Sequence, residues 1–191
     1  VAPRVAAGNL SLQAGRDLNL TAAQVTVKDD ARLQAGRDIN LATLEESHGE
    51  SLARNKKNRH DLSTSTEIGS VIAAAGNLTL IAGQDVNARA ADVSARKQLG
   101  VAAGRDINIG EGQAQASARD EAYYKTRGFL SSKSKHSIDS VAWTQSLGST
   151  FSGEGAVFQA GRDFSLNASQ ILAGNDLIVD AGRDLTVAAG T

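Results

Sequence analysis

One short phrase, Ala-Gly followed by polar residues and then by alternating apolar and polar positions, recurs nine times along the chain. Its copies begin at Ala7, Ala14, Ala35, Ala75, Ala82, Ala103, Ala160, Ala173 and Ala181. Gly15 and Gly36, Gly83 and Gly104, and Gly161 and Gly182 are each 21 residues apart. A second register overlies the first, because Gly8, Gly15 and Gly36 recur 68 residues later as Gly76, Gly83 and Gly104. A fixed short period of this kind is the mark of a solenoid, here with about 21 residues per coil.

After each Ala-Gly phrase the chain alternates with period two, as in Leu18-Asn19-Leu20, Ile39-Asn40-Leu41, Ile107-Asn108-Ile109, Phe164-Ser165-Leu166 and Leu185-Thr186-Val187. Period two predicts strands. Strands this short cannot form a stable sheet alone, so they must stack on copies of themselves about 4.8 Å apart. Burial of each Leu, Ile or Val column residue then contributes about 1.5–3 kcal/mol, against an ordering cost near 1–2 kcal/mol per residue. One coil is unstable and stability accumulates with stacking. The fold class expected is all-β, a parallel β-helix.

The corner residues follow from the same logic. Gly15, Gly36, Gly83, Gly104, Gly161 and Gly182 are read as positions that either take a positive φ or allow close backbone approach. Asp17, Asp38, Asp85, Asp106, Asp163 and Asp184 can accept backbone amides in the same corners. Arg16, Arg37, Arg105, Arg162 and Arg183 are expected to stack with these carboxylates as outer charge ladders, each exposed pair worth about 0–1 kcal/mol. All of these are read as structural turn residues.

Two stretches, about 43–73 and 110–155, break the repeat. They close on similar phrases, Thr66-Glu67-Ile68-Gly69-Ser70 and Gln145-Ser146-Leu147-Gly148-Ser149, and are read as related β-hairpin inserts in one 1–191 unit. A helical turn over Ser117–Ala122 is the alternative for part of the second. The first insert carries Arg54, Lys56, Lys57 and Arg59, opposed by Glu45, Glu46 and Glu50. The second holds Lys125, Arg127, Lys133 and Lys135, and five of the seven aromatics: Tyr123, Tyr124, Phe129, Trp143 and Phe151. Arg54, Lys56, Lys57, Arg59, Tyr123, Tyr124, Phe129 and Trp143 make up the candidate interaction surface. Two bland readings stand beside it: the charges form solvated ion pairs, or the aromatics pack the hairpin against the solenoid.

Lys and Arg number 20 against 21 Asp and Glu, so no global field draws the whole chain to nucleic acid or an anionic membrane, and any such binding would have to be local. No nucleic-acid partner and no small-molecule substrate are expected. Absence of Cys removes a thiol nucleophile, a Cys-based zinc site and disulfides. His48, His60 and His136 show no ligand or catalytic spacing, and the repeated glycines precede strands rather than helices. No catalytic residue, cofactor or metal is assigned. Absence of Met suggests a piece of a longer protein, and no run reaches the ~18 apolar residues of a membrane helix.

The phrases Ala-Gly-Arg-Asp-Leu-Asn-Leu and Lys125-Thr126-Arg127-Gly128-Phe129-Leu130-Ser131-Ser132-Lys133 resemble the second class of haemagglutinin repeats in filamentous haemagglutinin and contact-dependent growth inhibition exoproteins. The resemblance covers essentially the whole chain. It implies a right-handed β-helix with extra-helical hairpins, secreted or cell-surface location, and export through an outer-membrane two-partner transporter. It also implies adhesion, or delivery of a C-terminal toxin, at a target-cell surface or outer membrane. The enzymatic rival is a polysaccharide lyase on the same fold, which would need acids standing apart from the repeat.

Overall fold

A computed structural model describes residues 2–55 and 57–190. The chain is all-β. Coil one holds β1 (Arg4–Ala7), β2 (Leu10–Ala14) and β3 (Leu18–Thr21); coil two holds β4 (Gln24–Val27), β5 (Ala31–Ala35) and β6 (Ile39–Ala42). The first hairpin follows, β7 (Leu44–Asn55) and β8 (Asn58–Ile68). Coil three is β9 (Val71–Ala74), β10 (Leu78–Ala82) and β11 (Val86–Arg89), and coil four is β12 (Asp92–Ala95), β13 (Gln98–Ala103) and β14 (Ile107–Gly110). After the second hairpin, β15 (Gly112–Arg127) and β16 (Ser132–Leu147), come coil five, β17 (Thr150–Gly153), β18 (Gly155–Ala160) and β19 (Phe164–Asn167), and coil six, β20 (Gln170–Ala173), β21 (Leu177–Ala181) and β22 (Leu185–Ala188).

The first, second and third strands of the coils form three parallel six-stranded sheets of a β-solenoid. Register is set by the apolar columns: Leu18 pairs with Ile39, Ile39 with Val86, Val86 with Ile107, Ile107 with Phe164 and Phe164 with Leu185. Ile39, Val86, Ile107 and Phe164 are buried, as are Leu33, Leu78, Leu80, Ile72 and Val93 from the other two sheets. A slip by one residue would turn each column outward, so the pattern and the register enforce one another.

The glycine column shows which corner reading applies. A Cβ on Gly36 would strike the carbonyl of Gly15, and Gly83, Gly104, Gly161 and Gly182 stand in the same relation to Gly36, Gly83, Gly104 and Gly161. Close approach is therefore what demands glycine. Positive φ falls instead on Ala22, Ala90 and Ala168, at 45–46°, and on no described glycine. These alanines make the tight corner after coils one, three and five. The hairpins leave at that corner from coils two and four.

The chain divides into two compact units, one of residues 1–44, 67–112 and 146–191, the other of 45–66 and 113–145. The inserts are narrower than the sequence suggests. Val71–Ala74 and Thr150–Gly153 are solenoid strands, and Ser117–Ala122 is strand rather than helical turn. Phe151 accordingly belongs to the core and not to the second insert. It is fully buried and meets Phe158 edge-on at 5.8 Å, which meets Phe164 at 5.7 Å, so three phenyl rings fill coil five. Ser70 and Ser149, the last residues of the two closing phrases, are also buried. Each hydroxyl accepts an amide, from Ala23 at 3.1 Å and Ala91 at 3.0 Å, and donates to a carbonyl, Leu20 at 3.0 Å and Gly110 at 2.6 Å. That repeated device closes the backbone where a hairpin returns.

Candidate interaction surface

In the solenoid the repeated polar residues are occupied by one another. Arg37, Arg105, Arg162 and Arg183 each form a two-pronged bond to the Asp of an earlier coil, with Nε donating to Asp17, Asp85, Asp106 and Asp163 at 2.7–2.8 Å. Asp38, Asp85 and Asp106 also accept the backbone amides of Asp85, Asp106 and Asp163 at 3.2–3.3 Å, one coil on rather than within the same corner. Asp184, in coil six, approaches Arg183 at 3.3 Å. Hydrogen bonds from Arg37, Arg105 and Arg183 hold the Asp17, Asp85 and Asp163 carboxyls below their ordinary range, against the opposing effect of burial. Asn40, Asn87 and Asn108 extend a second ladder, each Nδ2 donating to the Asn one coil earlier at 2.8–3.0 Å. These groups spend their donors and acceptors on holding coils in register.

The hairpin unit is a four-stranded antiparallel sheet in the order β16-β15-β8-β7. The two hairpins join through β8 and β15, in a register running from Thr66 opposite Ala114 to Arg59 opposite Glu121. On β8 the inner end carries Ser63, Thr64, Ser65 and Thr66 and the outer end Arg59, His60 and Asp61. Ser51 donates to Asp61 at 2.5 Å and Ser65 to Glu45 at 2.6 Å across β7 and β8. His60 Nδ1 lies 2.5 Å from Asp120 across the junction of the hairpins, and His136 Nε2 lies 2.8 Å from Glu121 within the second. The hydrogen bond to Asp120, then its charge, raises the His60 pKa above the ordinary value, with Glu50 and Asp61 adding to the effect. Asp61 is lowered by the Ser51 hydroxyl first and then by Arg59.

The candidate residues do not gather into one patch. Arg59 is held by Asp61 at 2.8 Å. The Lys57 ammonium sits 4.5 Å from the centre of the Tyr123 ring, a cation–π contact, and Tyr123 meets His136 edge-on at 6.2 Å. The contacts of His136 with Tyr123 and Glu121 put even-numbered residues of β16 on the same face as odd-numbered residues of β15. By strand alternation Tyr124 and Trp143 therefore lie on the opposite face, 65% and 52% exposed. Arg54 is exposed on β7, and Lys56 lies outside the described residues. Phe129 is in the turn after β15, beside Leu130, which the sequence reading passed over although Gly128-Phe129-Leu130-Ser131 is a turn phrase with two apolar residues at its centre.

A family model described as hemagglutinin repeat matches residues 2–52 and again 51–191. Among curated proteins, the 16S rRNA endonuclease CdiA of Enterobacter cloacae is 36% identical over 64% of this chain and 4% of its own length. The deoxyribonuclease CdiA of Dickeya dadantii is 36% identical over 87% of the chain and 5% of its own length. The tRNA nuclease CdiA of Escherichia coli strain STEC_O31 is 33% identical over 97% of the chain and 6% of its own length. The chain thus spans only about a twentieth of these relatives. No solved structure matches it.

Proposed function

This chain belongs to the hemagglutinin repeat family, and on that premise we propose that it is a structural and interaction segment of a large secreted or surface-displayed bacterial exoprotein. In this reading the solenoid is the scaffold. The hairpin unit carries contact with a target-cell surface or outer membrane, in adhesion or in delivery of a C-terminal toxin, and an outer-membrane transporter is the partner during export. Support comes from the similarity to a short stretch of three proteins that share the name CdiA. The segment is not itself an enzyme. The nuclease activities in the relatives' names belong to proteins of which it matches about a twentieth, and its recurring Asp17, Asp85, Asp106 and Asp163 are engaged by Arg of the next coil.

The observation that carries the reading is the contrast in saturation: the Arg–Asp and Asn ladders of the coils bind one another, whereas Arg54, Tyr124, Phe129 and Trp143 on the hairpins face solvent. The test replaces residues 45–66 and 113–145 of the parent protein with short turns and measures export, cell binding and toxin delivery. Normal export with loss of binding or delivery is expected. A variant that is exported and fully active contradicts the proposal.

A further inference from the structure

The turn between β15 and β16 is closed by the Gly128 amide donating to the Ser131 carbonyl at 2.8 Å. Its central residues, Phe129 and Leu130, are 101% and 93% exposed. Turn geometry does not require them. The turn between β7 and β8 is polar, with Asn55 Oδ1 accepting the Lys57 amide at 2.9 Å and the Asn58 side-chain amide at 3.0 Å. Two bare apolar side chains at the tip of a long hairpin are a standing cost in water unless something covers them.

The charge around that tip identifies what covers it. Between Glu121 and Asp139 the chain carries Lys125, Arg127, Lys133 and Lys135 and no carboxylate. The two acids at the inner boundary are engaged, Glu121 with His136 and Asp120 with His60. At about 3.3 Å per residue, Arg127 and Lys133 stand about 7–10 Å behind the apolar pair along their strands, with Lys125 and Lys135 further back. The exposed ring of Tyr124 lies at the same level. Apolar residues at the end, cations one headgroup depth behind and an amphipathic ring among them are the order of groups that a bilayer interface accepts, with long cationic side chains reaching back to phosphate. A protein groove would accept the apolar pair but would not call for four unopposed cations around it.

We propose that the Gly128–Ser131 turn is a membrane-docking tip, which seats Phe129 and Leu130 at the acyl boundary of an anionic phospholipid bilayer with Lys125, Arg127, Lys133 and Lys135 against its phosphates. The proposal rests on the reading that the hairpin unit works at a target-cell surface, and it names the partner there as lipid. Two side chains and four charges give weak, reversible binding in which both parts are needed, each basic residue near the surface contributing about fivefold.

The test uses the whole chain and vesicles of phosphatidylcholine, alone or mixed with phosphatidylglycerol, in a sedimentation assay, with circular dichroism as the fold control. Binding to the anionic vesicles alone is expected, weakening as salt rises. Phe129→Ser combined with Leu130→Ser should reduce it by about tenfold or more, and serine at all four basic positions should abolish it. Lys28→Ser, an exposed basic position of the solenoid, should leave it unchanged. Absence of binding to anionic vesicles, or equal binding by the Phe129→Ser/Leu130→Ser variant, overturns the proposal. Cell binding by the same double variant separates the two readings. If the wild-type chain ignores vesicles and both proteins bind cells equally, the lipid tip falls while the hairpin unit keeps its proposed role through another partner.

Discussion

The solenoid, built of parallel strands, and the hairpin unit, built of antiparallel ones, are both held by strand-to-strand backbone bonds and arrive at opposite surfaces. Within the solenoid each inner strand pairs with a copy of itself on both sides, so every second residue is driven into a continuous core that holds Leu33, Leu80, Ile107 and Phe158. In the hairpin unit Ala114 is the one buried residue among those described. β7 is exposed along its whole length. The difference shows where each unit's individuality can reside: a coil must match its neighbours in register, side-chain size and corner chemistry, whereas a hairpin must match only its adjoining strands. Change is costly in the first and cheap in the second.

Substitutions can be ranked on that contrast. The largest loss is expected for Ile107→Asn, which places an unpaired amide between Val86 and Phe164 in a column with no polar partner. About 3–5 kcal/mol should disappear in chemical denaturation, combining the lost burial with the cost of an unsatisfied amide. Gly104→Ala follows, because its methyl group would strike the Gly83 carbonyl and the coils would have to part. A loss of about 1–3 kcal/mol should be seen in the same measurement. Asn108→Thr marks the small end, within about 0.5 kcal/mol, since it removes one exposed bond to Asn87 and keeps a strand-forming residue. Equal sensitivity at positions 107 and 108 would mean that the strand faces are reversed.

The Arg–Asp pairs of the solenoid and the His60–Asp120 pair of the hairpins should respond oppositely to pH. Asp17, Asp85 and Asp163 titrate below their ordinary value because Arg37, Arg105 and Arg183 bond their charged forms. Their contribution is present above about pH 4 and is lost as pH falls through the lowered folded values, so the solenoid's thermal midpoint should drop in acid. Asp85→Asn should reduce that dependence. His60 has the opposite sign: bonding to Asp120 raises its pKa, so the pair is complete below the ordinary value of 6.5 and is lost as pH rises through the raised one. Following the His60 ring by NMR should show a midpoint above that of Asp120→Asn. A midpoint unchanged in the variant would remove the cross-hairpin pair from the account.

Much of the solenoid was legible because its signal repeats. Leu18 and Ile39, Val86 and Ile107, and Phe164 and Leu185 are each 21 residues apart, and their shared place in one phrase aligns the three pairs across the inserts between. Thr150–Gly153 and Val71–Ala74 were hidden because they lie ahead of the Ala-Gly phrase of their coils. A four-residue strand such as Thr-Phe-Ser-Gly has one core-facing large residue and no visible period, which left Phe151 on the wrong side of the boundary. The left-handed corners escaped notice because Ala22, Ala90 and Ala168 carry no turn signal. Among the candidate surface residues, composition picked out the aromatics but could not sort them by face. That requires the strand to be continuous through Tyr123 and Tyr124, so that neighbours in sequence point to opposite sides.

The central claim is that the solenoid is a self-sufficient scaffold from which the hairpins can be removed. The direct measurement is thermal unfolding, followed by circular dichroism, of a chain in which 45–66 and 113–145 are each replaced by a short turn, with Ser70 and Ser149 retained. A cooperative, strand-rich transition within a few degrees of the full chain is predicted, because the stabilising contacts of each coil are with its neighbouring coils and closure cost changes slowly with loop length. A chain that fails to fold, or melts without cooperativity, would contradict the claim and make the hairpins part of the scaffold.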